Sequence, residues 1–237
     1  MLGAMRHKGF IPWDDDIDVA MPRGDYERLE TLLQGATGKY VLETPNTKSN
    51  DFFYPFSKIY DTETTVVENN RFRTKRGIYL DIFPLDGLGD SFEECEKNFK
   101  EVEKKFNLLL TRTCAIRKGR SFIKNAAIVA AQLIPNAILN NKKLLLSLNK
   151  SCKKHKFSEC KWVGNLLGDY RLREVMPVEI WGEPVEYEFE GTKMYGMEKA
   201  EEYLTRVYGD WRQLPPEEKR VSHHVFLELD LNKSYLK

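Results

Sequence analysis

The sequence predicts an α+β fold in which a sheet is flanked by helices and interrupted by a helical insertion. Three observations predict it. Short runs rich in β-branched and aromatic residues, punctuated by turn residues, fill residues 1–90. The stretch from Ser91 to His155 instead carries apolar residues at three- and four-residue steps. From Val185 strand-type alternation returns and gives way to one more helix.

Leu2 to His7 reads as the last turn of a helix, with Arg6, His7 and Lys8 suited to its C-terminal dipole and Gly9 as a left-handed cap. An acidic strand follows. From Asp16 the side chains alternate, so Asp16 and Asp18 share one face while Ile17, Val19 and Met21 take the other. Tyr26, Leu29, Leu32 and Leu33 repeat at helical spacing over Asp25 to Gln34, with Gly35 to end the helix. Strands are expected at Tyr40–Leu42, Phe56–Tyr60 and Thr64–Val67, separated by turns at Pro45-Asn46 and Asp61-Thr62. Gly77 to Leu88 gives another strand, with Tyr79, Asp81 and Phe83 on one face and Ile78, Leu80 and Ile82 on the other. Asp86-Gly87 reads as a turn.

Ser91 and Glu94 form a capping box for a helix whose stripe is Phe92, Cys95, Phe99, Val102, Phe106, Leu109 and Leu110. The apolar run Ala126 to Leu139 is short for a membrane span and is broken at Pro135-Asn136. It predicts a packed helical pair, while Lys142, Lys143, Lys150, Lys153, Lys154 and Lys156 leave open a peripheral contact with anionic lipid. Val185–Phe189 and Lys193–Tyr195 make a hairpin turned at Glu190-Gly191. Ala200, Tyr203, Leu204, Val207 and Tyr208 mark the last helix, which ends at Gly209.

Four carboxylates within Asp14 to Asp18, flanked by apolar residues, call for a neutralising cation. A solvated loop has the same composition, but the apolar alternation argues against it. An EF-hand loop would need Gly where Val19 stands and Glu where Asp25 stands. Hard oxygen ligands select Mg²⁺ or Mn²⁺, and two carboxylates spaced two apart on a strand can share a pair of ions about 3.5–4 Å apart. A lone acid in the apolar run around Asp81 is costly to bury unless paired or metal-bound, which makes it the third candidate ligand beside Asp16 and Asp18. A structural Asp capping a turn is the alternative. Lys58 on an apolar strand suits either a substrate phosphate or the protection of a sheet edge.

With 37 basic and 36 acidic residues the net charge of +1 offers no global field for nucleic acid. Cys95, Cys114, Cys152 and Cys160 lack metal or disulfide spacing, and no signal peptide opens the sequence, so reduced thiols in a cytoplasmic protein are expected. Association with the inner face of the membrane stays open.

Leu2 to Val19, Tyr79 to Asp86, Tyr208 to Trp211, Leu214 to Arg220 and His223-His224 together resemble the LicD family of phosphocholine transferases, which includes the fukutin-like proteins. The resemblance implies a nucleotidyltransferase-like mixed sheet, with residues 1–90 as catalytic core, 91–160 as helical region and 161–237 completing the same domain. It implies Asp16, Asp18 and Asp81 as catalytic metal ligands, with Asp14 as a further ligand or one step removed. The implied reaction moves phosphocholine, or a related phospho-alcohol, from CDP-choline or a similar donor to a sugar hydroxyl of a cell-surface glycan such as lipopolysaccharide or teichoic acid, releasing CMP. Arg6, Lys58 and Arg220 are then candidate phosphate cations, with His223 and Trp13 as further substrate contacts. A quaternary ammonium would want an aromatic cage, for which Trp13, Tyr54, Trp162, Tyr170, Trp181 and Trp211 are available. The family's Gly-Gly or Gly-Ser turn precedes the Leu-Gly-Ala stretch, and Met1 stands where that turn would have just finished, so a shortened chain is expected. Two alternatives are a nucleotidyltransferase that releases pyrophosphate and a truncated, non-catalytic binding domain.

Overall fold

The computed structural model describes residues 1–237 except Asn50, His223 and Lys237. Its elements are α1 (Leu2–His7), β1 (Asp18–Pro22), α2 (Arg23–Leu33), β2 (Tyr40–Glu43), β3 (Ser57–Asp61), β4 (Thr65–Glu68), β5 (Lys75–Arg76) and β6 (Tyr79–Gly89). After these come α3 (Phe92–Thr113), α4 (Phe122–Leu133), α5 (Asn141–Cys152), β7 (Trp162–Asn165), β8 (Val175–Pro177), α6 (Val178–Trp181), β9 (Val185–Phe189), β10 (Thr192–Gly196), α7 (Ala200–Tyr208) and β11 (Phe226–Asp230). The architecture is α+β, as expected.

The main sheet runs β2-β3-β6-β7-β8, all antiparallel neighbours, while β1 pairs with β6 in parallel and makes the sheet mixed. A second sheet, β11-β4-β5, joins the end of the chain to its first third, and β9-β10 is the expected hairpin. Its turn residues Glu190 and Gly191 both have positive φ, the requirement of a two-residue hairpin loop.

β6 is the central strand, and its two faces are covered differently. On one face Phe83 packs with Phe99, Phe106 and Leu109 of α3, in a core that extends to Leu145 and Leu148 of α5 and Val175 of β8. On the other lies α2, whose Tyr26 hydroxyl meets Ser57 Oγ at 2.6 Å. The alternation of Tyr79, Asp81 and Phe83 against Leu80 and Ile82 therefore reads correctly as two faces.

Several local expectations are corrected. The left-handed residue ending α1 is Lys8, with φ 54°, and Gly9 follows it. There a Cβ would run into the Glu190 side chain. α2 begins two residues early, because Arg23 is drawn inward, and Leu32 is 77% exposed. Asp86 is no turn residue: it lies within β6 and is 1% exposed. In α3 the capping serine bonds Glu94 N–H at 3.2 Å, but Phe92 and Leu110, at the margins of the stripe, face solvent.

Candidate active site

Three strands bring the central residues together. Parallel pairing sets Asp18 of β1 beside Asp81 of β6, and antiparallel pairing sets Lys58 of β3 beside Asp81 on its other side. Residues in register on adjacent strands point the same way about 4.8 Å apart, so Asp18, Asp81 and Lys58 form a row across the sheet. That row lines a cleft of about 1590 Å³.

Lys58 is 1% exposed and sits on β3 between β2 and β6, which rules out an edge position. Its ammonium lies 2.7 Å from Asp81 Oδ1, outside hydrogen-bonding geometry, and donates to Oδ2 at 3.1 Å. It also stands 3.4 Å from the ring centre of Tyr79 and 4.3 Å from that of Tyr54. Both tyrosine hydroxyls donate to Glu68, Tyr79 at 2.8 Å. Burial raises both phenols well above the ordinary range, so they stay protonated donors.

The acidic strand begins later than the alternation suggested. Asp14, Asp15 and Asp16 lie on the loop before β1, and only Asp18 is in the ladder. Carboxylate oxygens of Asp14, Asp15 and Asp16 lie within 4.8 Å of one another. Asp16 also lines the cleft with Asp18 and Asp81, so it belongs to both groups. Asp15 is held apart from this chemistry: Ser222 Oγ donates to it, and His224 Nδ1 lies 2.9 Å from its Oδ1. His224 Nε2 is 3.7 Å from Asp16.

The electrostatics match this arrangement. Burial, then repulsion from Asp16 and Asp81, pushes Asp18 up to about 7, with Lys58 opposing. Burial pushes Asp81 to about 6 against the pull of Lys58, and burial with Asp16 pushes Asp14 to about 6. Asp15 moves the other way, because the hydrogen bonds from His224 and Ser222 outweigh its burial. His224 is raised because its bond to Asp15 and the charges of Asp16 and Asp15 outweigh burial. Several carboxylates thus share one lysine, and the buried Asp81 Oδ1, 2.7 Å from its ammonium, receives no aligned hydrogen bond. Mutually repelling carboxylates with a single cation among them fit a divalent metal ion.

The other predicted contacts lie elsewhere. Arg6 donates to Trp211 O at 2.9 Å, and Arg220 donates to Pro215 O at 2.8 Å while its guanidinium carbon sits 5.5 Å over Trp13. These three tie α1 and the acidic loop to the segment after α7 and do not line the cleft. His223 lies outside the described residues; its neighbour His224 meets the acids. Of the six aromatic candidates, Tyr54, Tyr170 and Trp181 line the cleft. Trp162 packs on Phe92 and Trp211 is buried. Glu68, Tyr79 and His224 were missed as site residues. The signal for Tyr79 was present, since it shares the face of Asp81 two residues on.

A buried lysine–carboxylate pair beside crowded acids in a large cleft is an arrangement characteristic of enzyme active sites. The family model described as LicD/FKTN/FKRP nucleotidyltransferase domain matches residues 1–108. The chain is also 31% identical, over 95% of its length and 84% of the relative's, to a protein of Haemophilus influenzae named lipopolysaccharide cholinephosphotransferase LicD. The chain belongs to the LicD family. No solved structure matches it.

Proposed function

We propose that the protein transfers phosphocholine, or a similar phospho-alcohol, from a CDP-activated donor to a sugar hydroxyl of a cell-surface glycan. The row Asp18–Asp81–Lys58 in the cleft carries this reading, with the cholinephosphotransferase named for the Haemophilus relative in support. In the reaction the donor's P–O bond to CMP breaks, a P–O bond to the sugar forms, and the hydroxyl proton leaves. Such transfer is chiefly positioning and charge neutralisation.

Asp16, Asp18 and Asp81, with Asp14 beside them, would hold Mg²⁺ or Mn²⁺. Bound there, the cation supplies Lewis-acid polarisation of donor phosphate oxygens. Lys58 fixes Asp81 and keeps a positive charge at the cleft floor. Without the cation, burial and the charges of Asp16 and Asp81 push the Asp18 carboxyl up to about 7, a crowding that a bound cation would relieve. For a quaternary ammonium the cleft offers an aromatic wall, with Tyr170 and Tyr208 rings 4.8 Å apart and Trp181 and Tyr203 5.6 Å apart.

The test is incubation with CDP-choline, Mg²⁺ and a lipopolysaccharide acceptor. CMP should appear only with the metal and rise with acceptor. Pyrophosphate from CTP without CMP from CDP-choline would transfer the assignment to a nucleotidyltransferase. Neither product, with no Mg²⁺-dependent thermal shift, would leave a binding domain.

A further inference from the structure

Helix α4 is built inside out. Its two amide side chains face the protein: Asn125 Nδ2 donates to Arg117 O at 3.0 Å, and Gln132 Nε2 donates to Cys114 O at 2.9 Å. Of its twelve residues, all described, only Ile128 is buried. The opposite face is apolar and open, with Phe122 85%, Ile123 79% and Leu133 76% exposed, and Ile138 in the next turn 78% exposed. At 3.6 residues per turn Phe122, Ala126, Val129 and Leu133 fall on one stripe, with Ile123 and Ala130 beside it. Helix burial normally puts such a stripe inward. Contiguous exposed apolar surface of this kind marks an interaction face.

Charge indicates what the face meets. From Lys104 through Ser158 stand thirteen Lys and Arg and no Asp or Glu, in a chain whose net charge is +1. Four of them find acids, as in Lys105–Glu101 at 3.2 Å and Lys153–Glu27 at 2.6 Å. Arg117, Lys118, Lys124 and Lys143, which flank α4, have no carboxylate partner among the described residues. Apolar side chains fringed by uncompensated cations complement the boundary of an anionic bilayer.

We propose that the α4 face docks on anionic lipid bilayers, with Phe122, Ile123 and Leu133 entering the headgroup–acyl boundary and Arg117, Lys118, Lys124 and Lys143 meeting lipid phosphates. At about 18 Å the helix is shorter than the roughly 30 Å hydrocarbon core, so it lies in the membrane plane. No helix of the described residues is long and apolar enough to cross a membrane. A second copy of the chain is the competing occupant, but a two-fold contact would press the same uncompensated cations together. Thr113, Cys114, Ala115 and Arg117, which lead into α4, also line the cleft, so docking brings the cleft beside the lipid.

The test needs no nucleotide, so it stands or falls apart from the reaction. The purified full chain is sedimented with phosphatidylcholine vesicles with and without phosphatidylglycerol. Binding should require phosphatidylglycerol and weaken as salt rises. The triple variant Phe122→Ser, Ile123→Ser, Leu133→Ser should lower the partition coefficient at least about tenfold. Lys118→Glu with Lys124→Glu, at exposed positions, should abolish the phosphatidylglycerol dependence. The proposal is overturned if the wild type stays in the supernatant, or if both variants bind as it does. A dimer seen by light scattering and dissolved by the triple variant would assign the face to a second copy instead.

Discussion

Asp81 and Asp86 lie five residues apart on the same strand, both buried and both paired with a cation from another element. The odd spacing sends them to opposite faces, and their partnerships differ. Asp86 is complete: Arg23 Nε donates to Oδ1 at 2.8 Å and Nη2 to Oδ2 at 2.6 Å, while Nη1 turns to Asn149 Oδ1 at 3.4 Å. Both carboxylate oxygens accept hydrogen bonds there, and neither Asp86 nor Arg23 lines the cleft. Asp81 is unfinished: Lys58 touches its Oδ1 at 2.7 Å without an aligned hydrogen bond, and Asp18 crowds it from β1. A finished buried ion pair fastens α2 to the sheet; an unfinished one, open to a cleft, is a place for a ligand.

The sharpest way to break this comparison is to exchange the fates of the two acids. Asp86→Ala leaves the Arg23 guanidinium buried and unpaired, so it should lose about 3–5 kcal/mol of stability in urea unfolding. Asp81→Asn should cost less stability, because Asp18 still faces Lys58 and is freed of the Asp81 charge, yet it should lower CMP release from CDP-choline about 10²–10³-fold, the scale of removing one preorganised charge from a transition state. If Asp81→Asn unfolds the protein as readily as Asp86→Ala and the folded fraction remains active, the roles assigned to the two pairs are wrong.

A smaller effect concerns pH. Asp18, Asp81 and Asp14 have folded pKa values of about 7, 6 and 6, above the ordinary carboxylate value of 3.8. The folded state therefore holds more protons than the unfolded one, and the metal-free protein should lose stability as pH rises from about 4 to 7. His224, raised as well, contributes in the same sense near its own titration. Asp18→Asn should flatten this limb in thermal melts of the metal-free protein, and Mg²⁺ should lift the wild type most at its upper end. A wild-type melting temperature that climbs steadily over the window would refute the crowded-carboxylate picture.

Much of the fold was legible because each element announces itself locally. The stripe Cys95, Phe99, Val102, Phe106 and Leu109 is buried as its spacing requires, and the Glu190-Gly191 turn sits where its flanking alternation places it. Asp81 was legible as a candidate because a carboxylate in an apolar strand demands a partner. Asp86 obeys the same rule, but the Asp-Gly dipeptide is also a turn signal, and no local feature shows Arg23 arriving from another element. Helix α4 reads as apolar at the level of sequence, yet which of its faces is buried depends on Asn125 and Gln132 finding backbone carbonyls outside the helix.

By itself the sequence determined the alternation of strand and helix, the acid in the apolar strand and the family resemblance, because periodicity and residue chemistry act over a few neighbours. Only the tertiary structure decided that Lys58 is Asp81's partner, that Asp15 is drawn off by His224, that Arg6, Trp13 and Arg220 stand outside the cleft, and that α4 shows its apolar side to solvent. Each depends on register and packing between segments distant in the chain, and no local pattern encodes the position of a partner that long-range pairing brings within a few ångströms.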